Sequence, residues 1–184
     1  MTTASRTPKL SIGLPVYNGE NYLAEALESL IDQSFEDFEI FISDNASTDG
    51  TQEICETYCQ KDTRIRYSRL SENRGAAYNY NRVFEETSSA YFKWAAHDDL
   101  CLPHFLETCV KALDAAGPGT VLSYTTATTI DADGEPIIPD PYASGDFLYP
   151  RSKFAPVRVV HTLRRMSLVN SVFGVIRRDA LAKT

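Results

Sequence analysis

Two adjacent carboxylates, Asp98 and Asp99, follow the aromatic and apolar run Tyr91-Phe92-Lys93-Trp94-Ala95-Ala96. Two earlier turns have a related character, Pro15-Val16-Tyr17-Asn18-Gly19 and Asp44-Asn45-Ala46-Ser47. Carboxylates are hard oxygen donors, the ligand type that suits Mg²⁺ or Mn²⁺, and through such an ion they can hold a diphosphate. Tyr17 offers a ring face for stacking on a nucleobase, and Asp44 or Asn45 can hydrogen-bond a base edge or a ribose. Neither G-x-G-x-x-G nor G-x-x-x-x-G-K-[ST] occurs, so the usual backbone cradles for phosphate are missing. A diphosphate in so acidic a setting therefore needs the metal.

The elements that must position these turns alternate. Short apolar runs at 10–16, 38–43, 64–68, 91–96 and 120–124 read as strands, several of them halted by one of the turns. Between them, apolar residues recur at helical spacing: Leu23, Ala26, Leu27, Leu30 and Ile31, then Ile54, Cys55, Tyr58 and Cys59, then Ala76, Ala77, Tyr80, Val83 and Phe84. Ser47-Thr48-Asp49-Gly50 supplies N-cap chemistry for the second helix, and Pro103 suits the first turn of the fourth. Strand–helix alternation predicts an α/β protein with a parallel sheet covered by helices on both faces. In a doubly wound order 3-2-1-4, all three turns open onto one crevice at the carboxyl ends of the strands.

Beyond Tyr124 the rhythm changes. Asp131-Ala132-Asp133-Gly134 reads as a hairpin turn, residues 136–150 as a long proline-containing loop, 157–165 as a helix and 171–176 as a strand. The expected organisation is a disordered tail over 1–9, an α/β domain over 10–124, and an incomplete further portion over 125–184. The acids Asp131, Asp133, Asp140 and Asp146 read as a solvated loop, and His161, Arg164 and Arg165 as a solvated helix face.

A formal charge of −7 argues against a nucleic-acid partner, since no basic stretch offsets phosphate repulsion. Cys55, Cys59, Cys101 and Cys109 fall within or beside apolar stripes and read as reduced core residues, in keeping with a cytoplasmic protein. No apolar run approaches the ~20 residues that cross a bilayer, so no membrane span is expected.

The four motifs P-V-Y-N-G, S-D-N-A-S-T-D-G-T, E-N-R-G and H-D-D, in that order, resemble the inverting family 2 glycosyltransferases of the GT-A, Rossmann-like fold. The likeness runs from about Leu10 to Leu113 and returns weakly at 170–181. It implies that 10–124 is a nucleotide-sugar-binding domain and 125–184 the incomplete start of an acceptor-side portion, with Pro15 and Tyr17 lining the base pocket of a nucleoside-diphosphate sugar and Asp44 and Asn45 reading the base near the ribose. Asn73 and Arg74 belong to a loop near base and diphosphate. Asp98 lies near ribose and sugar, and Asp99 is the metal ligand of a DXD-type motif whose first position is His97. Two positions depart from the pattern: Asn45 replaces the second acid of a D-D-G-S turn, and Tyr80 stands where many members carry an arginine. Inversion requires a base to take the acceptor's proton. The resemblance places that base beyond Thr184, so this stretch is expected to bind donor but to transfer sugar poorly.

The implied acceptor is a glycan, a lipid or another hydroxyl compound, and a longer parent can sit at the inner face of the membrane. Two other functions compete with transfer. A sugar nucleotidyltransferase would carry a basic, glycine-rich loop after the first strand, whereas Pro15-Val16-Tyr17-Asn18-Gly19-Glu20 has no basic residue. A non-catalytic module would use the same pocket for sensing or assembly. Taken alone, Asp98-Asp99 also fits a plain helix-capping turn.

Overall fold

The computed structural model describes residues 6–138, 154 and 170–184. Along the chain run β1 (Leu10–Val16), α1 (Leu23–Ile31), β2 (Phe38–Asp44), α2 (Thr51–Lys61), β3 (Ile65–Arg69) and α3 (Ala76–Glu85). They are followed by β4 (Tyr91–Trp94), α4 (Phe105–Ala115), β5 (Leu122–Ser123), a 3₁₀ turn (Asn170–Phe173), β6 (Val175–Arg177) and α5 (Arg178–Leu181). One six-stranded sheet has the order β3-β2-β1-β4-β6-β5. The first four strands are parallel and in the expected order.

Strand parity explains the layers. Leu10, Ile12, Leu14 and Val16 of β1 and Phe38, Ile40 and Ile42 of β2 share a buried cluster with Leu23, Leu27 and Leu30 of α1, Cys55 and Tyr58 of α2, and Leu106, Cys109, Val110 and Leu113 of α4. The opposite face holds Phe41, Val83 and Phe92, with Phe84, Trp94 and Leu181 packed against them. Thus α1, α2 and α4 cover one face, and α3 and α5 the other. All of β1 is buried, as a central parallel strand covered on both sides must be. Gly13 lets α3 approach: a Cβ there would lie 2.6 Å from Val83 Cγ2 and 2.8 Å from Phe92 Cζ.

The carboxyl-terminal strands differ from expectation. The run at 120–124 yields only Leu122–Ser123, and the run at 171–176 divides into the 3₁₀ turn and β6. β6 inserts antiparallel between β4 and β5, pairing Tyr91 with Arg177 and Ser123 with Val175. Gly174 permits this, because a Cβ there would stand 2.6 Å from the Ser123 carbonyl oxygen. The chain accordingly forms two compact units, residues 1–124 with 172–184, and residues 125–171. Segment 172–184, assigned from sequence to the second portion, completes the first. Within the second unit an Ile130–Pro136 bridge closes the expected turn, with Gly134 at φ 82°. The helix expected over 157–165, with His161, Arg164 and Arg165, and the acids Asp140 and Asp146 lie outside the described residues.

Residues 6–9, read as tail, are tied down. The Lys9 and Leu10 amides donate to the Asp37 carbonyl, Arg6 pairs with the Asp37 side chain, and Lys9 Nζ reaches Asp114 at 2.6 Å. All four cysteines are free thiols, and burial pushes the Cys55 thiol up to about 12, which removes it as a nucleophile.

Candidate functional site

Loops from the carboxyl ends of β1, β2, β3 and β4 meet at one edge of the sheet, where the order reverses between β1 and β4. The first two are laced together. Asn18 N donates to Ser47 Oγ, Gly19 N to Thr51 Oγ1 and Glu20 N to Asp49 Oδ2, while Thr48 N and Gly50 N donate back to Asn18 Oδ1 and Glu20 Oε2. Asp49 Oδ1 accepts from Thr51 N and Oγ1, so Asp49 serves the first turn of α2 from one residue before its N-cap, Gly50, which makes no side-chain cap bond. The lacing leaves Tyr17 outside, 45% exposed.

Three residues expected to touch a donor turn inward instead. Pro15 is buried within β1, in register with Ser43. Asp44 is 0% exposed. Its Oδ1 accepts from Ser47 N at 2.8 Å, and its Oδ2 from Tyr67 Oη at 2.8 Å, with Arg69 Nε at 3.4 Å. The reason is parity: 38, 40, 42 and 44 share the α2-facing side of β2. Asn45, 3% exposed, bonds Val16 O through its backbone and the Asn73–Arg74 loop through its side chain. These residues shape the floor of the site rather than its surface.

A second network lies beneath. Arg82 Nη1 donates to Ser43 Oγ, which donates to Asn79 Oδ1, and Asn79 Nδ2 donates to Ser43 O at 2.7 Å. Sequence patterning did not single out Asn79 or Arg82; their only signal was a polar residue on the apolar face of α3. Above them Asn73 and Arg74 are exposed, and the Arg74 guanidinium sits 3.7 Å from the Tyr78 ring centre.

The acid turn follows β4. Ala95 N bonds Gly13 O, and His97 lies over Gly19, where a Cβ would meet His97 Cδ2 at 2.8 Å and Val16 Cγ2 at 2.7 Å. Asp98 and Asp99 are exposed and accept no hydrogen bond from the described residues. Desolvation by its surroundings, reinforced by the charge of Asp98, raises the Asp99 carboxyl above its ordinary range, with Lys93 and His97 opposing. The plain capping role does not apply. Buried Gln33 bonds the carbonyls of Cys101 and Leu102 through Nε2 and takes Leu106 N on Oε1, so it opens α4. Pro103, expected in the first helical turn, precedes that helix.

Two further residues flank the acids. Lys93, 3% exposed, donates from Nζ to Trp94 O at 3.0 Å and Phe173 O at 2.6 Å, and burial lowers its pKa. Tyr80 is half-buried, held by Trp94 Nε1 donating to its carbonyl at 3.0 Å. Burial and then the charges of Asp98 and Asp99 raise its phenol pKa, which puts a neutral hydroxyl beside the acids.

The mostly parallel sheet, with an exposed acid pair and an exposed aromatic ring near the point where its strand order reverses, is an α/β fold of the GT-A type. The chain belongs to Glycosyl transferase family 2, whose model matches residues 11–170. An uncharacterized glycosyltransferase of Rickettsia typhi is 34% identical over 125 residues, covering 68% of this chain and 38% of that protein. The putative teichuronic acid biosynthesis glycosyltransferase TuaG of Bacillus subtilis is 32% identical over 130 residues, covering 71% and 51%. This chain thus spans between a third and about half of the length of these two relatives. Among solved structures, the mannosyltransferase PcManGT of Pyrobaculum calidifontis, in complex with GDP-Man and Mn²⁺, superposes with a TM-score of 0.66 at 17% identity, covering 97% of this chain and 47% of that one. S. aureus TarS 1–349 in complex with UDP-GlcNAc gives 0.62 at 22% identity, covering 95% and 47%. At these identities the structural likeness shows the fold alone.

Proposed function

We propose that the carboxyl edge of β1, β2 and β4 binds a nucleoside-diphosphate sugar, whose sugar passes with inversion to a hydroxyl acceptor. The observation that carries this reading is the exposed, unbonded pair Asp98-Asp99 at the point of strand-order reversal, across from exposed Tyr17. Family membership supports it, as do fold neighbours bound to UDP-GlcNAc and to GDP-Man.

Tyr17 stacks on the base, and Asn73 and Arg74 contact base and diphosphate. Asp98 lies by ribose and sugar, the Tyr80 hydroxyl donates beside it, and Asp44 and Asn45 hold the floor. The donor set fits a divalent ion: Asp99, with Asp98 adjacent, offers hard oxygens without internal partners. Among the described residues no group of three or more His, Cys, Asp or Glu side chains gathers as a complete metal site. When bound, Mn²⁺ or Mg²⁺ neutralises the charge of a departing diphosphate. Donor binding is the activity proposed for this chain. The acceptor is a glycan, a lipid or another hydroxyl compound. Among the described residues no helix is long and apolar enough to cross a membrane.

Calorimetric titration with UDP, dTDP and GDP, each with Mn²⁺ and then with excess chelator, tests the reading. One nucleotide binds only with metal, and Asp99→Ala abolishes that binding by about tenfold or more. No binding by folded wild-type chain would end the proposal.

A further inference from the structure

Three consecutive amides of the β1–α1 loop are committed to one neighbour. Asn18 N donates to Ser47 Oγ at 2.9 Å, Gly19 N to Thr51 Oγ1 at 2.8 Å and Glu20 N to Asp49 Oδ2 at 3.1 Å. The β2–α2 loop answers with its own amides: Thr48 N donates to Asn18 Oδ1 at 2.9 Å and Gly50 N to Glu20 Oε2 at 2.7 Å. Free backbone N–H groups in such loops could cradle a phosphate. These five are taken, and the loop instead carries an aromatic ring, Tyr17, left 45% exposed. Tyr17 is bracketed by anchors. On its amino side Asn45 N donates to Val16 O, and on its carboxyl side Asn18 bonds the β2–α2 loop twice, through its amide and through its side chain. Asn18 holds a left-handed backbone at φ 53°, which asparagine tolerates better than most residues. The chain there folds straight back, bringing Gly19 against Val16.

We infer that Asn18 is a positioning residue for Tyr17: its side-chain clasp on the Thr48 amide fixes the direction in which the ring leaves β1. This rests on the donor-site reading above, in which Tyr17 stacks on the base. A ligand that must itself immobilise a loose side chain gives up roughly two- to tenfold in affinity for doing so. The clasp does that ordering before the ligand arrives. Asn18 therefore acts on base binding through the ring and touches no ligand itself.

Two substitutions separate the clasp from the turn. Asn18→Gly adopts the left-handed backbone without steric cost and keeps the N–H for Ser47 Oγ, but it has no oxygen for Thr48 N–H. Asn18→Asp keeps that oxygen and tolerates the same backbone. A third, Tyr17→Ala, removes the ring on which the clasp is held to act. In a double-mutant cycle, a residue that works only through Tyr17 has nothing left to contribute once the ring is gone.

Calorimetry on these variants decides the matter, with UDP and GDP as probes in the presence of Mn²⁺, and pyrophosphate with Mn²⁺ as the ligand without a base. Amide hydrogen exchange at Thr48 reports the clasp directly. Asn18→Gly is expected to speed that exchange by about tenfold or more. It is also expected to weaken the nucleotide that wild type binds by about three- to tenfold, with pyrophosphate affinity unchanged. Asn18→Asp is expected to keep Thr48 protected and to keep the wild-type ratio of nucleotide to pyrophosphate affinity. Added to Tyr17→Ala, Asn18→Gly is expected to cost no further nucleotide affinity. A further loss there, as large as in the wild-type background, would show that the clasp serves something other than the ring and would overturn the inference. So would full nucleotide affinity in Asn18→Gly, equal losses of nucleotide and pyrophosphate, or an Asn18→Asp variant as weak as Asn18→Gly. If wild type binds neither nucleotide, or Tyr17→Ala binds as wild type does, the reading of Tyr17 as the base platform falls first and the inference with it, and unchanged Thr48 exchange in Asn18→Gly would remove the clasp on its own.

Discussion

Ala46 holds a left-handed backbone at φ 62°, between the buried side chains of Asn45 and Ser47. An alanine there carries roughly 1–2 kcal/mol of strain, because its Cβ crowds the following carbonyl. The turn is kept by the Ser47 amide on Asp44 Oδ1 and the Asn45 amide on Val16 O. Ala46→Gly should therefore raise unfolding free energy by about 1 kcal/mol, net of glycine's larger entropy in the unfolded chain. Urea denaturation measures it, and an unchanged midpoint would mean the strain is absorbed elsewhere. Gly19 shows the opposite case. A methyl there must displace both Val16 and His97, and His97 immediately precedes the acids. Gly19→Ala should weaken metal-dependent nucleotide binding, while far-ultraviolet dichroism still reports a folded chain. At this scale the sequence was readable as to which residues gather, but not which way they face. Asp44 looks like any turn acid until the parity of Phe38, Ile40 and Ile42 is carried one step further: Ser47 N fills Oδ1 locally, but the partners of Oδ2, Tyr67 and Arg69, come from a different strand.

The elements divide along the same line. β1 to β4 were legible because each is a local apolar run followed by a helix, and parallel neighbours joined by a helix leave few alternatives. β6 was legible only in part: the strand read at 171–176 shares Val175 and Ile176 with it, but its place in the sheet comes from pairing with Tyr91 and Phe92, more than eighty positions earlier, and with Leu122 and Ser123. What locks it is the pair Arg177 and Arg178. Arg177 donates to Leu113 O at 2.6 Å and Thr120 O at 2.8 Å, closing the end of α4. Arg178 reaches the Phe84 and Thr87 carbonyls at the end of α3 and stacks 4.2 Å from the Phe84 ring centre. Two neighbouring cations thus cap helices on opposite faces of the sheet, where carbonyls lack partners. Removing Arg177 takes a donor from the Leu113 carbonyl and removing Arg178 takes one from the Thr87 carbonyl, while Phe84 O keeps Thr87 Oγ1, so Arg177→Ala and Arg178→Ala should each lower stability by about 2 kcal/mol. Urea titration checks this, and lysine should restore only part of the loss, because one ammonium cannot span the same set of carbonyls.

For the sheet-bearing unit as a whole, stability and proposed function occupy opposite edges. The carboxyl edge carries the exposed acids. Around the amino edge lie ion pairs: Lys9 with Asp114, which also accepts from Tyr91 Oη, and Arg64 with Asp62, the same guanidinium reaching Ile31 O. The hydrogen bond from Arg64 holds the Asp62 carboxyl below its ordinary value, and the one from Lys9 does the same for Asp114. A carboxyl that binds its proton less readily folded than unfolded adds stability above the unfolded pKa, near 3.9. That contribution fades as pH falls through the lower folded value. Asp62→Asn should therefore be less stable than wild type at pH 7, by about 1 kcal/mol for this half-shielded pair. The gap should close as pH falls through the lowered folded value, once the wild-type carboxyl is protonated as well. Asp114→Asn should show the same convergence. Because both lie away from the acid turn, nucleotide affinity at pH 7 should match wild type in each variant. Parallel chemical-denaturation curves from pH 2 to 8, with calorimetry at pH 7, measure both halves of the claim. A gap that persists at low pH would assign the loss to packing rather than charge, and a fall in affinity would show that the two edges are coupled through the sheet.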